Sequence, residues 1–420
     1  MSKYAFLLGR KPLISLAELQ AVMPDDTAFL ELIGETLIIE TSATFTQEEA
    51  RLFFNRLGGS MKMIEITEVT DHNLNKLTKT LAQMAVTRFK GQEGKAKYAV
   101  FVKTIKTDSA KMLKTSLMEL KKTLKEEGIS GRFINNNFQN AEVAALKGEN
   151  VLNRGAEFCA LEGSSGWYLG HTLAIQDIDA YSTRDYERPE RDPRVGMLPP
   201  KLAQILINLT GETKLNEPTK DKYLYDPFCG LGTVLMEGLI MGLHVVGSDI
   251  SSETLKKAHK NLEWHFVKTN ISNKSRLFVK DATQLIPTEV PEPICAVVSE
   301  TYLGPPMSQT PEQIKIEEIF TEIDHVLTRT MENLHELLPA NACVVITLLT
   351  YRKNQGYGKT AYQTIDNFLD KIPELGYEIA DIISPELIKK FNLPSASQKT
   401  LLYERPEQTV CRGIYKFRKA

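Results

Sequence analysis

The stretch that decides the fold is Tyr225–Glu237, YDPFCGLGTVLME. The apolar run Tyr223–Pro227 reads as a strand and Thr233–Met241 as a helix, with a Cys-Gly-Leu-Gly turn between them. Gly230 and Gly232 remove the Cβ that would keep a ligand off the backbone. A helix that begins at Thr233 offers unpaired amides to a polar group. Two glycines in such a turn are weak evidence alone, since any tight strand-to-helix turn uses them. A P-loop is excluded, because the lysine of GxxxxGK[ST] is missing.

The neighbouring segments repeat the theme. His244–Ser248, Arg276–Val279, Ile294–Ser299 and Cys343–Leu348 read as strands, separated by helices over Thr254–Val267 and Pro311–Leu338. A further helix is expected over Leu198–Leu209, with Pro199 and Pro200 in its first turn. Thr360–Leu375 reads as helical, and Tyr377–Ile383 and Val410–Phe417 as strands with no helix between them. This alternation predicts an α/β, doubly wound, mostly parallel sheet that ends in an antiparallel pair. Its second strand runs into Asp249, seventeen residues after Gly232, and its third into Lys280-Asp281-Ala282. Asp249 is placed to accept both hydroxyls of a ribose, and Asp281 to accept the amine of an adenine. Either acid alone is equally well a helix N-cap. Acids and glycines at three successive strand ends together point to an adenine-ribose ligand. A nicotinamide dinucleotide fits less well, since Leu235 replaces the third Gly of GxGxxG.

The chain has 420 residues, which at roughly 150 per domain predicts two or three domains. With 51 Lys+Arg against 53 Asp+Glu the net charge is −2, so any nucleic-acid surface must be a local patch. The 5 cysteines are dispersed, which argues against disulfides and a CxxC zinc site, and the histidines show no ligand spacing; no metal site is expected. No apolar run reaches the roughly 18 residues of a membrane span. A cytoplasmic chain without membrane contact is expected, and its oligomeric state is left open, a monomer being acceptable.

In the first half, Lys3–Leu8, Glu35–Glu40 and Lys62–Val69 read as strands. Ser15–Val22 reads as a helix with Ser15 and Glu18 as a capping box, and Thr46–Leu57 as a helix capped by Thr46. These make an α+β unit over residues 1–70. A second unit, 71–175, holds helices Asn73–Thr87 and Lys111–Glu127, strand Tyr98–Lys103 and a hairpin around Gly163–Gly166. Residues 176–195 are polar and charged and read as a linker; residues 196–420 are the α/β domain. Between Lys95 and Lys125 stand nine lysines and two acids, about +7. Lys111, Lys114, Lys121 and Lys122 on that helix could neutralise phosphates, or form an ordinary solvated face. Arg412, Lys416, Arg418 and Lys419 form a smaller basic set, and Arg184, Arg188 and Arg191 are linker charges that touch RNA or only bridge domains. Cys229 reads as a small apolar filler rather than a nucleophile.

DPFCGLGTVLME followed by GSDIS resembles the class I S-adenosylmethionine-dependent methyltransferases, and more narrowly the amino-methylases with a DPFCGSGT-type loop. Gly196–Ala203, GMLPPKLA, is similar to the segment that precedes that loop. With RDYERP ahead of it and YAFLLGRKPLISLAEL at Tyr4–Leu19, nearly the whole chain resembles the THUMP-containing tRNA guanosine-10 N2-methyltransferases, most specifically over residues 196–249 and more loosely over 60–175. The resemblance implies a Rossmann-like domain with a mostly parallel seven-stranded sheet and antiparallel last strand, preceded by ferredoxin-like and THUMP domains. It implies S-adenosyl-L-methionine as cofactor, held by Met197, Leu198, Asp226, Phe228, Gly230, Gly232, Thr233, Asp249, Ile250, Asp281 and Ala282. It implies tRNA as partner and N2 of a guanosine as acceptor. After the fourth strand that family carries [DN]-P-P-[YF], whose polar side chain and backbone carbonyl accept the amine hydrogens while the ring stacks on the base. Here Val298–Pro306 reads VSETYLGPP. Tyr302 fits the stacking place, Ser299 or Glu300 is the candidate acceptor, and Pro305-Pro306 comes too late. Two alternatives stand beside this expectation: a tRNA-binding protein that keeps the cofactor pocket without catalysis, and a DNA amino-methylase.

Overall fold

The computed structural model describes residues 1–420 except 193–196, 216, 218, 220, 291–292, 306–310, 355–359 and 406–409. Gly196 of the GMLPPKLA segment and Pro306 lie outside the described residues. The chain divides into two compact units. One holds Met1–Pro12, Pro24–Asn55 and Ser60–Ile178; the other holds Leu13–Met23, Arg56–Gly59 and Asp179–Ala420.

The first unit contains strands β1 (Ser2–Leu8), β2 (Ala28–Ile33), β3 (Thr36–Thr41), β4 (Ser60–Thr70), β5 (Ala96–Lys103), β6 (Gly131–Phe133), β7 (Gly155–Glu162) and β8 (Trp167–Ile175). They form one sheet in the order β2-β3-β1-β4-β8-β7-β5-β6. Antiparallel pairing of β4 with β8, with Ile64 opposite Thr172, carries the sheet across residue 70. Helices Leu74–Phe89 and Ser109–Glu126 bury Leu77, Leu81, Leu113 and Leu117 with Tyr98, Val100, Phe158 and Trp167 of the sheet. Thr46 caps helix Gln47–Phe54 through a capping box with Glu49, as its S/T-x-x-E spacing directs.

The Ser15–Glu18 box is corrected. The helix starts earlier, at Pro12, a residue suited to a first turn because its missing N–H needs no partner there. Ser15 and Glu18 are buried inside the helix instead. Ser15 Oγ donates to Gly59 O (2.6 Å), and Glu18 accepts from the amides of Gly58 and Gly59 (both 2.8 Å) and from Asn208 Nδ2 (2.8 Å).

The second unit contains β9 (Tyr223–Asp226), β10 (His244–Asp249), β11 (Ser275–Val279), β12 (Ile294–Glu300), β13 (Cys343–Asn354), β14 (Thr360–Gln363), β15 (Tyr377–Ile379), β16 (Thr400–Tyr403) and β17 (Val410–Lys419). Its path is β11-β10-β9-β12-β13-β17-β15, with β14 on β13 and β16 on β17. The first five strands of the path are parallel, and β17 is antiparallel to β13 and β15. Central strands such as ICAVVSE are almost wholly buried, as a parallel sheet covered on both faces requires.

Three expectations change here. Thr360–Gln363 is a strand rather than helix, because TAYQ pairs with the end of β13 (Arg352 opposite Tyr362); only Asp366–Lys371 is helical. Helix Pro385–Lys390 and strand β16 lie between β15 and β17, where no helix was expected. Its start is marked by a Ser384 cap on the Leu387 amide and Pro385 in the first turn. The polar run 176–195 is not an open linker in its described part: Ile178–Ser182 is α-helical, Thr183–Glu187 a π-turn, and Tyr181 and Arg188 are buried.

Candidate functional site

The parallel strands β9, β10 and β11 end side by side, and each delivers one carboxylate. Asp226 closes β9 and is 2% exposed. Its Oδ1 accepts from the Phe228 amide (3.1 Å) and the Ser299 hydroxyl (2.6 Å). Burial pushes its carboxyl up to about 7, with the negative charges of Asp249 and Glu300 adding to the rise. In the loop that follows, Gly230 (φ 51°) and Gly232 (φ 83°) occupy the left-handed region, which explains why both are glycine. The Cys229 amide donates to Ser248 O (2.9 Å), tying the loop to β10. Burial raises the Cys229 thiol well above its ordinary value, which disfavours the thiolate.

Asp249 bridges two loops: Oδ2 accepts from the Gly230 amide (3.1 Å) and Oδ1 from the Ser251 amide (2.9 Å). A carboxylate accepts about four hydrogen bonds, so both oxygens keep capacity for hydroxyl donors. Ile250, beside it, holds an apolar side chain 70% exposed. Asp281 is the N-cap of the short turn Ala282–Gln284, taking the Thr283 amide (2.9 Å) and hydroxyl (2.7 Å) on Oδ1. Its other oxygen is turned to neither. The cap role weighed for Asp281 in the sequence is therefore real, and it orients the carboxylate.

Helix Thr233–Ile240 starts from the loop with Gly232 as N-cap and no side-chain cap. Thr233 and Leu198 are buried, and Met197 and Phe228 half-buried. Two oriented carboxylates for hydroxyl and amine donors, glycines at the loop, exposed Ile250 and an uncapped helix start form a donor and acceptor set that fits an adenosyl group carrying an amino-acid tail. Among the described residues no group of His, Cys, Asp and Glu is set to hold a metal, and no helix is long and apolar enough to cross a membrane.

At the end of β12 the expected acceptor residues separate. Ser299 is fully buried and its hydroxyl donates a hydrogen bond to Asp226 Oδ1, so in this structure it holds Asp226. Glu300 forms a close ion pair with Arg412 of β17, and burial raises its carboxyl against the lowering effect of that guanidinium. Thr301 turns inward, its hydroxyl donating to Thr347 O (2.8 Å). Tyr302 turns outward and is 40% exposed. Arg412, expected among surface basic residues, is 4% exposed and belongs to this site. The sequence offered no sign of that, since the pair joins residues 112 positions apart. Arg184, expected as a linker charge, donates to the buried Glu237 at 2.7 Å. On helix Ser109–Glu126 of the first unit, Lys111, Lys114, Lys121 and Lys122 are all exposed on one side, with Lys114 Nζ 5.3 Å from the Phe138 ring centre.

Residues 188–299 match the family described as the RMKL-like methyltransferase domain. A tRNA (guanine(10)-N2)-dimethyltransferase of Methanothermobacter thermautotrophicus is 35% identical over 96 residues, covering 23% of this chain and 26% of the relative. A probable tRNA (guanine(10)-N2)-dimethyltransferase of Methanothermococcus thermolithotrophicus is 30% identical over 129 residues, 31% of this chain and 74% of the relative. The match spans about a quarter of the first two relatives, 26% and 27% of their lengths. Among solved structures, TrmN from Thermus thermophilus aligns over 100% of both chains with a TM-score of 0.50 and 13% identity, a likeness of fold.

Proposed function

The chain belongs to the RMKL-like methyltransferase family, and on that premise we propose that it moves a methyl group from S-adenosylmethionine to an exocyclic amine of a base in tRNA, N2 of a guanosine. One observation carries the proposal: the three consecutive strand ends bring Asp226 with its glycine loop, Asp249 and Asp281 to one edge of a parallel sheet. Gly230 and Gly232 would let the backbone lie against the methionyl part. Asp249 would take the ribose hydroxyls, Asp281 the adenine amine through its second oxygen, and Ile250 the adenine face. Met197, Leu198, Phe228, Thr233 and Ala282 would complete the walls.

The bound cofactor supplies a methyl group on a sulfonium, whose departure leaves a neutral thioether. The chain therefore has mainly to align the acceptor and take its proton. Tyr302 is exposed where a base would stack. Glu300 accepts the amine proton, and its raised affinity for protons suits that task. Arg412 fixes the carboxylate in place. The unit built on strands β1–β8, with its ferredoxin-like and THUMP-like portions sharing one sheet, would hold the tRNA, through Lys111, Lys114, Lys121 and Lys122 among others. The setting is the cytoplasm.

A second reading is favoured by one observation. The amine-accepting prolines are missing before Tyr302 and Glu300 is already paired, which suits a tRNA-binding protein that keeps the pocket without transfer. Incubation with methyl-labelled S-adenosylmethionine and total tRNA, followed by nucleoside mass mapping, separates the two. Label in N2-methylated guanosine supports the enzyme. Cofactor binding with no label in any tRNA supports the relic.

A further inference from the structure

We infer that Arg188 anchors the α-carboxylate of the methyl donor, an inference that rests on the donor reading above. Arg188 is 2% exposed. Its Nη1 donates to Thr233 Oγ1 (2.7 Å) and its Nη2 reaches Met197 Sδ (2.9 Å), a weak acceptor. Its Nε is buried and has no partner among the described residues. Among the described residues no hydrogen bond or ion pair joins this guanidinium to a carboxylate. Asp185 and Glu237 act on it only through their fields; Glu237 Oε1 is taken by Arg184, and its buried Oε2 makes no hydrogen bond to Arg188.

A buried guanidinium with no directly bonded counter-ion is costly, which leaves its free hydrogens for a partner the chain itself does not supply. What stands around it identifies that partner. Thr233 opens the helix whose N-terminus has no side-chain cap, so its dipole adds a second positive influence at the same place. The two residues that Arg188 touches, Thr233 and Met197, are both wall residues of the proposed cofactor pocket. In S-adenosylmethionine the sulfonium and the amine are cationic, and the α-carboxylate is the one anion. A guanidinium with Nε and an Nη hydrogen uncommitted can grip it with two parallel hydrogen bonds. The same arginine therefore selects a donor with an amino-acid tail over a bare adenosyl thioether.

The test is a cycle of two ligands against three proteins. Affinities for S-adenosylhomocysteine and for 5′-methylthioadenosine, which lacks the amino-acid carboxylate, are measured by calorimetry on wild type, Arg188→Lys and Arg188→Met. Wild type is expected to favour S-adenosylhomocysteine clearly. Arg188→Met should weaken it by about 10- to 100-fold, the worth of hydrogen bonds to a charged group, with 5′-methylthioadenosine within about 2-fold. Arg188→Lys should fall between, keeping the charge without the fork; it also keeps the test open if the methionine variant fails to fold. Equal losses for both ligands, or none for either, would overturn the inference while leaving the donor reading intact. If wild type bound neither ligand, the donor reading would fall first and the inference with it.

Discussion

Replacing Arg412 by Met should destabilise the second unit in a way that depends strongly on pH. Arg412 and Glu300 form an ion pair with side-chain exposures of 5% and 18%. Removing the guanidinium leaves a carboxylate whose burial already raises its proton affinity. An unpaired buried charge costs about 3–5 kcal/mol, and the carboxylate avoids part of that cost by taking up a proton. Protonation costs about 1.4 kcal/mol for each pH unit above the ordinary Glu value near 4.5. The loss is then capped at about 4 kcal/mol at pH 7.5 and about 1.4 kcal/mol at pH 5.5. Urea denaturation at the two pH values measures both. Glu300→Gln combined with Arg412→Met should recover most of the loss at pH 7.5, since no charge is then stranded. A loss equal at both pH values, one below about 1 kcal/mol at pH 7.5, or no recovery in the double variant would refute the reasoning.

Other expectations follow from the same contacts. Burial pushes Glu18 up to about 7, so the folded state holds a proton that the unfolded state has released between pH 4.5 and 7. Stability should therefore be greatest below that window and decline as pH rises through it; Asp226 titrates in the same range. Glu18→Gln should flatten that decline by up to about 1.4 kcal/mol per pH unit, as read from urea midpoints across the range; an unchanged profile would contradict the assignment. Ser299→Ala removes the hydroxyl that holds Asp226. It should cost about 1–2 kcal/mol in denaturation and weaken S-adenosylhomocysteine binding, whereas a direct role on the base would leave that binding untouched. Replacing Lys111, Lys114, Lys121 and Lys122 by Ala should weaken tRNA binding and reduce its salt slope by up to about 3, measured by filter binding. An unaltered slope moves the RNA surface elsewhere.

The strand-end pocket was legible because its chemistry is local. DPFCGLGT, GSD and KDA each place an acid or glycine within a few residues of a strand end, and the alternation of elements gave the order. Ser15 and Glu18 were not legible, because the S-x-x-E spacing is the same for a capping box and for two buried groups on one helix face. Only packing against Gly58 and Gly59 distinguishes them. Thr360–Gln363 was misread because its state is set by the partner strand rather than by its own residues. Residues 176–188 looked like a solvated linker from composition, yet Arg184 and Arg188 spend their charge inside the fold. The Glu300–Arg412 pair was invisible for the simplest reason: nothing in either neighbourhood points to the other.

The most direct measurement is calorimetry of the full chain with S-adenosylhomocysteine, ATP and NAD, repeated on Asp249→Ala. One molecule of S-adenosylhomocysteine should bind per chain, with weak or no heat from ATP and NAD, and the signal should be lost in the variant while tRNA still binds. No heat with S-adenosylhomocysteine alongside tight binding of another nucleotide would contradict the donor reading.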